Sequence, residues 1–181
     1  RGRHQEHIDT DLAPYDLWEQ MGLLTVTGGS TDFKNDYKFI IKYLKDIQDE
    51  YDLIFNGIGI DPHNADGILG DLAEFVVPIM IVTQSARFMN DATVDVQLLV
   101  KGNQVEYNKN NELLTWSFTN AKTVMNSFGE IKVDKKNNRF QRIDPVDAVL
   151  DAHTMMLKTR DKEVINVESE LESYLDKMGW T

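Results

Sequence analysis

The sequence predicts an α/β fold with at least two parallel strands, and three observations carry that prediction. Short apolar or β-branched segments alternate with amphipathic stretches of helical period. Two of those segments, Leu53–Ile60 (LIFNGIGI) and Val76–Val82, read as strands buried on both faces. Each leads into a helical stretch, which is the order of strand–helix–strand units.

The elements follow in chain order. Leu23–Thr27 (LLTVT) is short and β-branched and runs into Gly28-Gly29, a strand ending in a turn. Phe33, Tyr37, Ile40, Ile41, Leu44 and Ile47 recur at helical spacing, with Asp32 placed to cap that helix. The strand Leu53–Ile60 carries two glycines and stops at Asp61-Pro62, after which a weaker helical stretch reaches Phe75. Val76–Val82 leads into a helix from about Arg87 to Val100. Gln104–Tyr107 suits a short edge strand, and Leu113–Asn126 a further helix. Beyond Gly129 comes a lysine-rich hairpin, and Asp144-Pro145 then opens a helix to about Lys158. The last stretch, Asp161–Thr181, has six acids and two lysines and suits a solvated helix with Val164, Val167, Leu171, Tyr174 and Leu175 on one side. The expected organisation is a polar tail over 1–12, one domain over 13–160 and an acidic helical tail over 161–181.

Composition bounds what such a chain does. Its 181 residues are enough for a core, and 41% hydrophobic residues are too many for a disordered protein. A net charge of −11 argues against a generally basic nucleic-acid binder, but not against carboxylates gathered to hold metal ions. Absence of cysteine excludes disulfides, thiolate zinc sites and thiol nucleophiles. The longest apolar run, Phe75–Val82, contains a proline and falls far short of the roughly 20 residues that span a bilayer. RGRHQEHIDTDLAPYD has no apolar signal region and no initiator methionine, as expected of a fragment, a processed product or a trimmed chain. No phosphate-cradling GxxxxGK[ST] loop and no GxSxG nucleophile elbow occur.

RIDPVDAVLDAH is the strongest local signal. On a helix Asp144, Asp147 and Asp151 fall at roughly 0°, −60° and −20°, so three carboxylates share a face. Val146, Val149, Leu150, His153 and Leu157 cluster on the opposite side. Like charges so spaced cost about a few tenths of a kcal/mol per pair unless a cation sits among them. The same spacing also fits Asp144 as an N-cap with Pro145 at the first helical position and the other two aspartates in water. Asp61 ends an apolar strand, where open α/β sheets place functional groups, and it too precedes a proline. Aspartates on two separate elements offer a hard divalent cation its oxygen ligands. Lys132, Lys135, Lys136, Arg139 and Arg142 stand against one acid, Asp134, giving Lys132–Arg142 a charge of +4. Such a run either grips phosphates or is a solvated hairpin. His63 is a substrate contact, a ligand or a surface residue, whereas His153, on the apolar side, reads as a satisfied core histidine. His4 and His7 lie in the polar tail, and their spacing carries little. Trp18, Trp116 and Trp180 read as core or interface rings.

The order APYDLWEQMGLLTVTGGSTDF, a strand ending in Asp61, Gln84 after VPIMIV, WSFTNA (Trp116–Ala121), the lysine-rich hairpin and RIDPVDA resembles the nuclease domain of tailed-phage large terminase subunits over roughly residues 10–158. That resemblance implies an RNase H-like mixed sheet flanked by helices. It also implies a metal-dependent endodeoxyribonuclease that cuts concatemeric viral DNA during packaging with two Mg²⁺ or Mn²⁺ ions. Asp61 matches the family's middle catalytic aspartate and Asp144 the final one, with Asp147 and Asp151 as supporting ligands. Double-stranded DNA, the portal protein and the small terminase subunit become the expected partners, at the procapsid in the host cytoplasm. The family's first catalytic aspartate lies on a central strand upstream of PYDLW, and its ATPase motor lies further upstream still. Only a dozen polar residues precede that segment here, with Asp9 and Asp11 outside any strand pattern. The expectation is therefore a C-terminal fragment without the first strands, with open sheet edges, weak metal binding and poor cutting. The competing readings are a non-enzymatic module docking on the portal or small subunit, and another RNase H-like nuclease such as a resolvase.

Overall fold

The computed structural model describes residues 13–27, 37–63, 65–135 and 141–160. In chain order the elements are α1 (Tyr15–Gln20), α2 (Tyr37–Tyr51), β1 (Ile58–Ile60), a helical region of α3 (Leu69–Leu72) flanked by 3₁₀ turns Ala65–Gly67 and Ala73–Phe75, β2 (Ile79–Ile81), α4 (Ala86–Lys101), α5 (Glu112–Asn120), β3 (Ala121–Met125), β4 (Ile131–Lys135) and α6 (Asp144–Arg160). The parallel pair expected from the sequence is β1 with β2, in register Ile58↔Ile79 to Ile60↔Ile81. The hairpin is β3 with β4, antiparallel from Ala121↔Lys135 to Met125↔Ile131. The mixed character is thus divided between two two-stranded sheets. Among the described residues no helix is long and apolar enough to cross a membrane. The Asp32 cap, Gly28-Gly29, Lys136, Arg139, Trp180 and both predicted tails lie outside the described residues.

Alternation along β1 sets the packing. Ile58 and Ile60, with Ile79 of β2, face a cluster built on Ile41 of α2 and Ile68 and Leu72 of the α3 region. Gly57 and Gly59 point the other way, toward α6. A β-carbon on Gly59 would lie 2.6 Å from the Asp151 carbonyl oxygen, so the bare backbone is what lets α6 rest directly on the strand. A second cluster of Val82, Met89, Val146 and Leu150 joins β2, α4 and α6, and Val133 and Ala121 of the hairpin pack onto it. Near α5, the Trp18 and Trp116 rings sit 5.2 Å apart with Tyr15 edge-on to both, so these two tryptophans are core rings, as expected.

Five predicted boundaries change, each for a backbone reason. The strand predicted over Val76–Val82 shortens to Ile79–Ile81, because Val76 takes φ 53° and its N–H closes the preceding turn on the Ala73 carbonyl. Leu23–Thr27 is extended but no described strand bonds to it; the Leu23 N–H instead closes α1 on the Trp18 carbonyl. The strand predicted from Leu53 shortens to Ile58–Ile60 because α2 runs on and stops late. Asp52 takes φ 51°, and the Leu53 N–H returns to the Gln48 carbonyl, a Schellman-type stop. Gln104–Tyr107 forms no strand: Asn103 at φ 53° and the Gln104 N–H on the Leu99 carbonyl end α4 in the same way, and the following residues are exposed. The helix predicted over Leu113–Asn126 breaks after Asn120. From Ala121 the chain pairs with β4, and Gln97 of α4 donates to the Thr123 hydroxyl at 2.6 Å. Cross-strand pairing outweighs the helical pattern there.

Candidate functional site

The C-terminal ends of β1 and β2 and the first turns of α6 meet at one place. Asp61 follows β1 directly, Gln84 follows β2, and α6 begins at Asp144. The glycine face of β1 brings α6 close enough for Asp61 to act electrostatically on Asp147 and Asp151. One oxygen of Asp61, Oδ1, accepts the His63 N–H at 2.7 Å, so this carboxylate also fixes the turn through Pro62. Asp61 thus caps its own turn while standing near enough to α6 to act on two of its carboxylates. At the helix start the Ile143 carbonyl accepts the Asp147 N–H and the Ser117 hydroxyl accepts the Val146 N–H. The cap of α6 is therefore built from Ile143 and Ser117, not from Asp144 as the capping reading had it.

Asp151 is the main surprise of α6. The wheel reading that puts Asp147 and Asp151 in water fails for Asp151, which is only 6% exposed. Its Oδ1 accepts from Gln84 Nε2 at 2.9 Å, and the same amide reaches the Val82 carbonyl at 3.2 Å. Lys132 Nζ of β4 donates to the Gln84 carbonyl at 3.0 Å, so a lysine of the hairpin is tied to the end of β2. The physical reason for the burial is that α6 lies between β1 on one side and α4 and α5 on the other. A helix so placed has no single wet face, and Val149, predicted inside, is correspondingly exposed.

The carboxylates repel one another. Burial pushes Asp147 from 3.8 up to about 6; Asp144, Asp151 and Asp61 add to the rise, and Lys135 opposes it. Burial likewise raises Asp151, with the Gln84 hydrogen bond opposing and Asp61 adding. Among the described residues no three acidic or histidine side chains stand close enough to hold a metal ion together. The donor set itself suits a hard divalent cation: carboxylate oxygens only, carried on two packed elements.

The remaining predicted residues separate. His63 is exposed at the rim beside Asp61. His153 Nε2 pairs with Asp95 Oδ2 at 2.7 Å away from the carboxylates, a satisfied histidine as expected. Lys132 and Lys135 are half-buried beside the site, and the Arg142 carbonyl takes a bond from Asn120 Nδ2 at 3.2 Å. Gln84, Ser117 and Gly59 were not predicted as site residues, though each does positioning work. Gln84 had a signal of its own, a polar amide just after a buried strand, and Gly59 was one of the two strand glycines; Ser117 had none.

The model of the terminase large subunit, endonuclease domain, matches residues 3–160. The chain belongs to this terminase endonuclease family. Its similarity to the large terminase subunit of Enterobacteria phage HK97 is 27% identity over 174 residues, covering 94% of this chain and 32% of the relative. The crystal structure of the HK97 bacteriophage large terminase superposes with a TM-score of 0.72 at 26% identity, covering 86% of this chain and 31% of the other. The chain spans about a third of the length of these terminase subunits. The expected terminase resemblance and the mixed α/β class consistent with an RNase H-like fold both hold.

Proposed function

We propose that this terminase nuclease domain is a metal-dependent endodeoxyribonuclease that cuts concatemeric viral DNA during genome packaging. The observation that carries the reading is the meeting of Asp61 with Asp144, Asp147 and Asp151 at the ends of the parallel strands, beside Lys132 and Lys135. In this reading Asp61 and Asp144 are the catalytic carboxylates that hold Mg²⁺ or Mn²⁺. Asp147 and Asp151 support them, with Gln84 orienting Asp151. A divalent ion, when bound, supplies positive charge at the scissile phosphate and makes water more acidic. Lys132, Lys135, Lys136, Arg139 and Arg142 hold the backbone of double-stranded DNA, and His63 lies at the rim where the substrate strand passes. The portal protein and the small terminase subunit are the proposed partners, at the procapsid in the host cytoplasm.

The test combines metal binding with cutting. Mn²⁺ should raise the melting temperature of the chain, and Asp61→Asn or Asp144→Asn should remove most of that rise. Supercoiled plasmid should be nicked in Mn²⁺ by the chain, or more strongly by a form extended upstream, and by neither variant. If both variants keep the full Mn²⁺ response and no form nicks DNA, the nuclease reading is wrong.

A further inference from the structure

The β3–β4 hairpin ends in a turn that is rigid and yet presents apolar surface. Asn126 organises it: its Oδ1 accepts the N–H groups of Phe128 at 2.9 Å and Glu130 at 3.0 Å, and its Nδ2 donates to Glu130 Oε2 at 2.7 Å. The Asn126 N–H bonds the Glu130 carbonyl, the Gly129 N–H bonds the Asn126 carbonyl, and Gly129 supplies the φ of +81° that the bend needs. Next to the turn, the Ile131 N–H donates to Asn90 Oδ1 of α4, which anchors the hairpin end to the body. From this fixed turn Phe128 projects 86% exposed, with Met125 beside the turn 69% exposed. Among the described residues neither side chain belongs to a core cluster.

We infer that Phe128, with Met125, is an apolar wedge that inserts against the bases of duplex DNA when the chain binds its substrate. The inference rests on the reading of the chain as a DNA endonuclease, and charge complementarity selects DNA as the occupant. The hairpin carries Lys122, Lys132 and Lys135 against Glu130 and Asp134, a net charge of +1 on a chain of −11, and Lys132 connects it through Gln84 to Asp151. Lysines hold phosphates, while a rigid exposed ring adjoining them can enter between base steps and unstack them. The position is also specified. Lys132 lies four positions on from Phe128, at most roughly 13 Å at the rise of a strand. One DNA strand advances about 3.4 Å per phosphate along the duplex axis, so the wedge enters no more than about four nucleotides from the phosphate held by Lys132.

The experiment uses the whole chain in Ca²⁺ with a 30-base-pair duplex carrying 2-aminopurine, reading anisotropy for binding and 2-aminopurine fluorescence for unstacking. The wild-type chain should bind and raise the fluorescence severalfold at saturation. Phe128→Ala should weaken binding about fivefold or more and abolish the rise, and Phe128→Trp should restore both. Lys132→Ala should weaken binding and flatten its salt dependence but retain the rise at saturation. Binding and fluorescence unchanged by Phe128→Ala would overturn the wedge, as expected if the tip seats on a protein, and leave the nuclease reading standing. A wild-type chain that binds no DNA would overturn both.

Discussion

Asp147 concentrates the electrostatics of the site in one residue. Its folded pKa of about 6 lies above the ordinary 3.8, because burial and the neighbouring carboxylates disfavour its charge. The folded state therefore binds the extra proton, and the unfolded state does not, between those two values. It follows that stability falls as pH rises from about 4 to 6, and that the penalty of the ionised group is complete above 6 and absent below about 4. Asp147→Asn should accordingly stabilise the chain at pH 7.5, by about 1 kcal/mol once solvent screening is allowed for, and change little at pH 4. Urea unfolding at the two pH values measures this, and an equal effect at both would refute the assignment. Gly59 is a second decisive residue. Gly59→Ala places a methyl against the Asp151 backbone and should cost about 1–3 kcal/mol. Gly57→Ala meets the Met155 side chain, whose end can turn aside, with the Pro78 carbonyl oxygen at 3.4 Å in ordinary contact, and should cost less than Gly59→Ala in the same denaturation experiment. The glycines are visible in LIFNGIGI, but their partner on α6 is not, because sequence spacing does not say which helix covers a strand. Asp151 escapes the sequence for the same reason: the helical wheel has one wet face, and α6 is covered on two.

At the scale of elements, the start of α6 depends on a different helix. Ser117 is fully buried in α5 and accepts the Val146 N–H at 3.2 Å. Ser117→Ala should leave that N–H without a partner and cost about 1–2 kcal/mol. By loosening the first turn of α6 it should also reduce the Mn²⁺-induced thermal shift, whereas a cost in stability with the full shift retained would place Ser117 outside the site. The two parallel strands, the crossover helices and α6 were legible from hydrophobic periodicity and from Asp-Pro punctuation. The helix stops at Asp52 and Asn103 were not, because both take the left-handed conformation without glycine. Nor was the break at Asn120, since TWSFTN and AKTVM read as one helical pattern until β4 is there to pair with the second half.

Across the whole molecule, the −11 charge divides into parts with opposed consequences. Carboxylates converge where two parallel strands end on α6, and the hairpin beside them brings Lys132 and Lys135. A cation between the two would relieve the repulsion that adds to burial in raising Asp147 and Asp151, and would offset the field that opposes DNA. Family membership was legible in the order of segments, from PYDLW to RIDPVDA, more than in any single one. In the proposed function Asp61 and Asp144 act on one metal ion from two elements. A double-mutant cycle in Mn²⁺ calorimetry tests it most directly. Asp61→Asn and Asp144→Asn should each weaken binding about tenfold or more, and the double variant should bind little worse than the weaker single one. Mn²⁺ affinity unchanged in both single variants, or losses that simply add, would contradict the shared site.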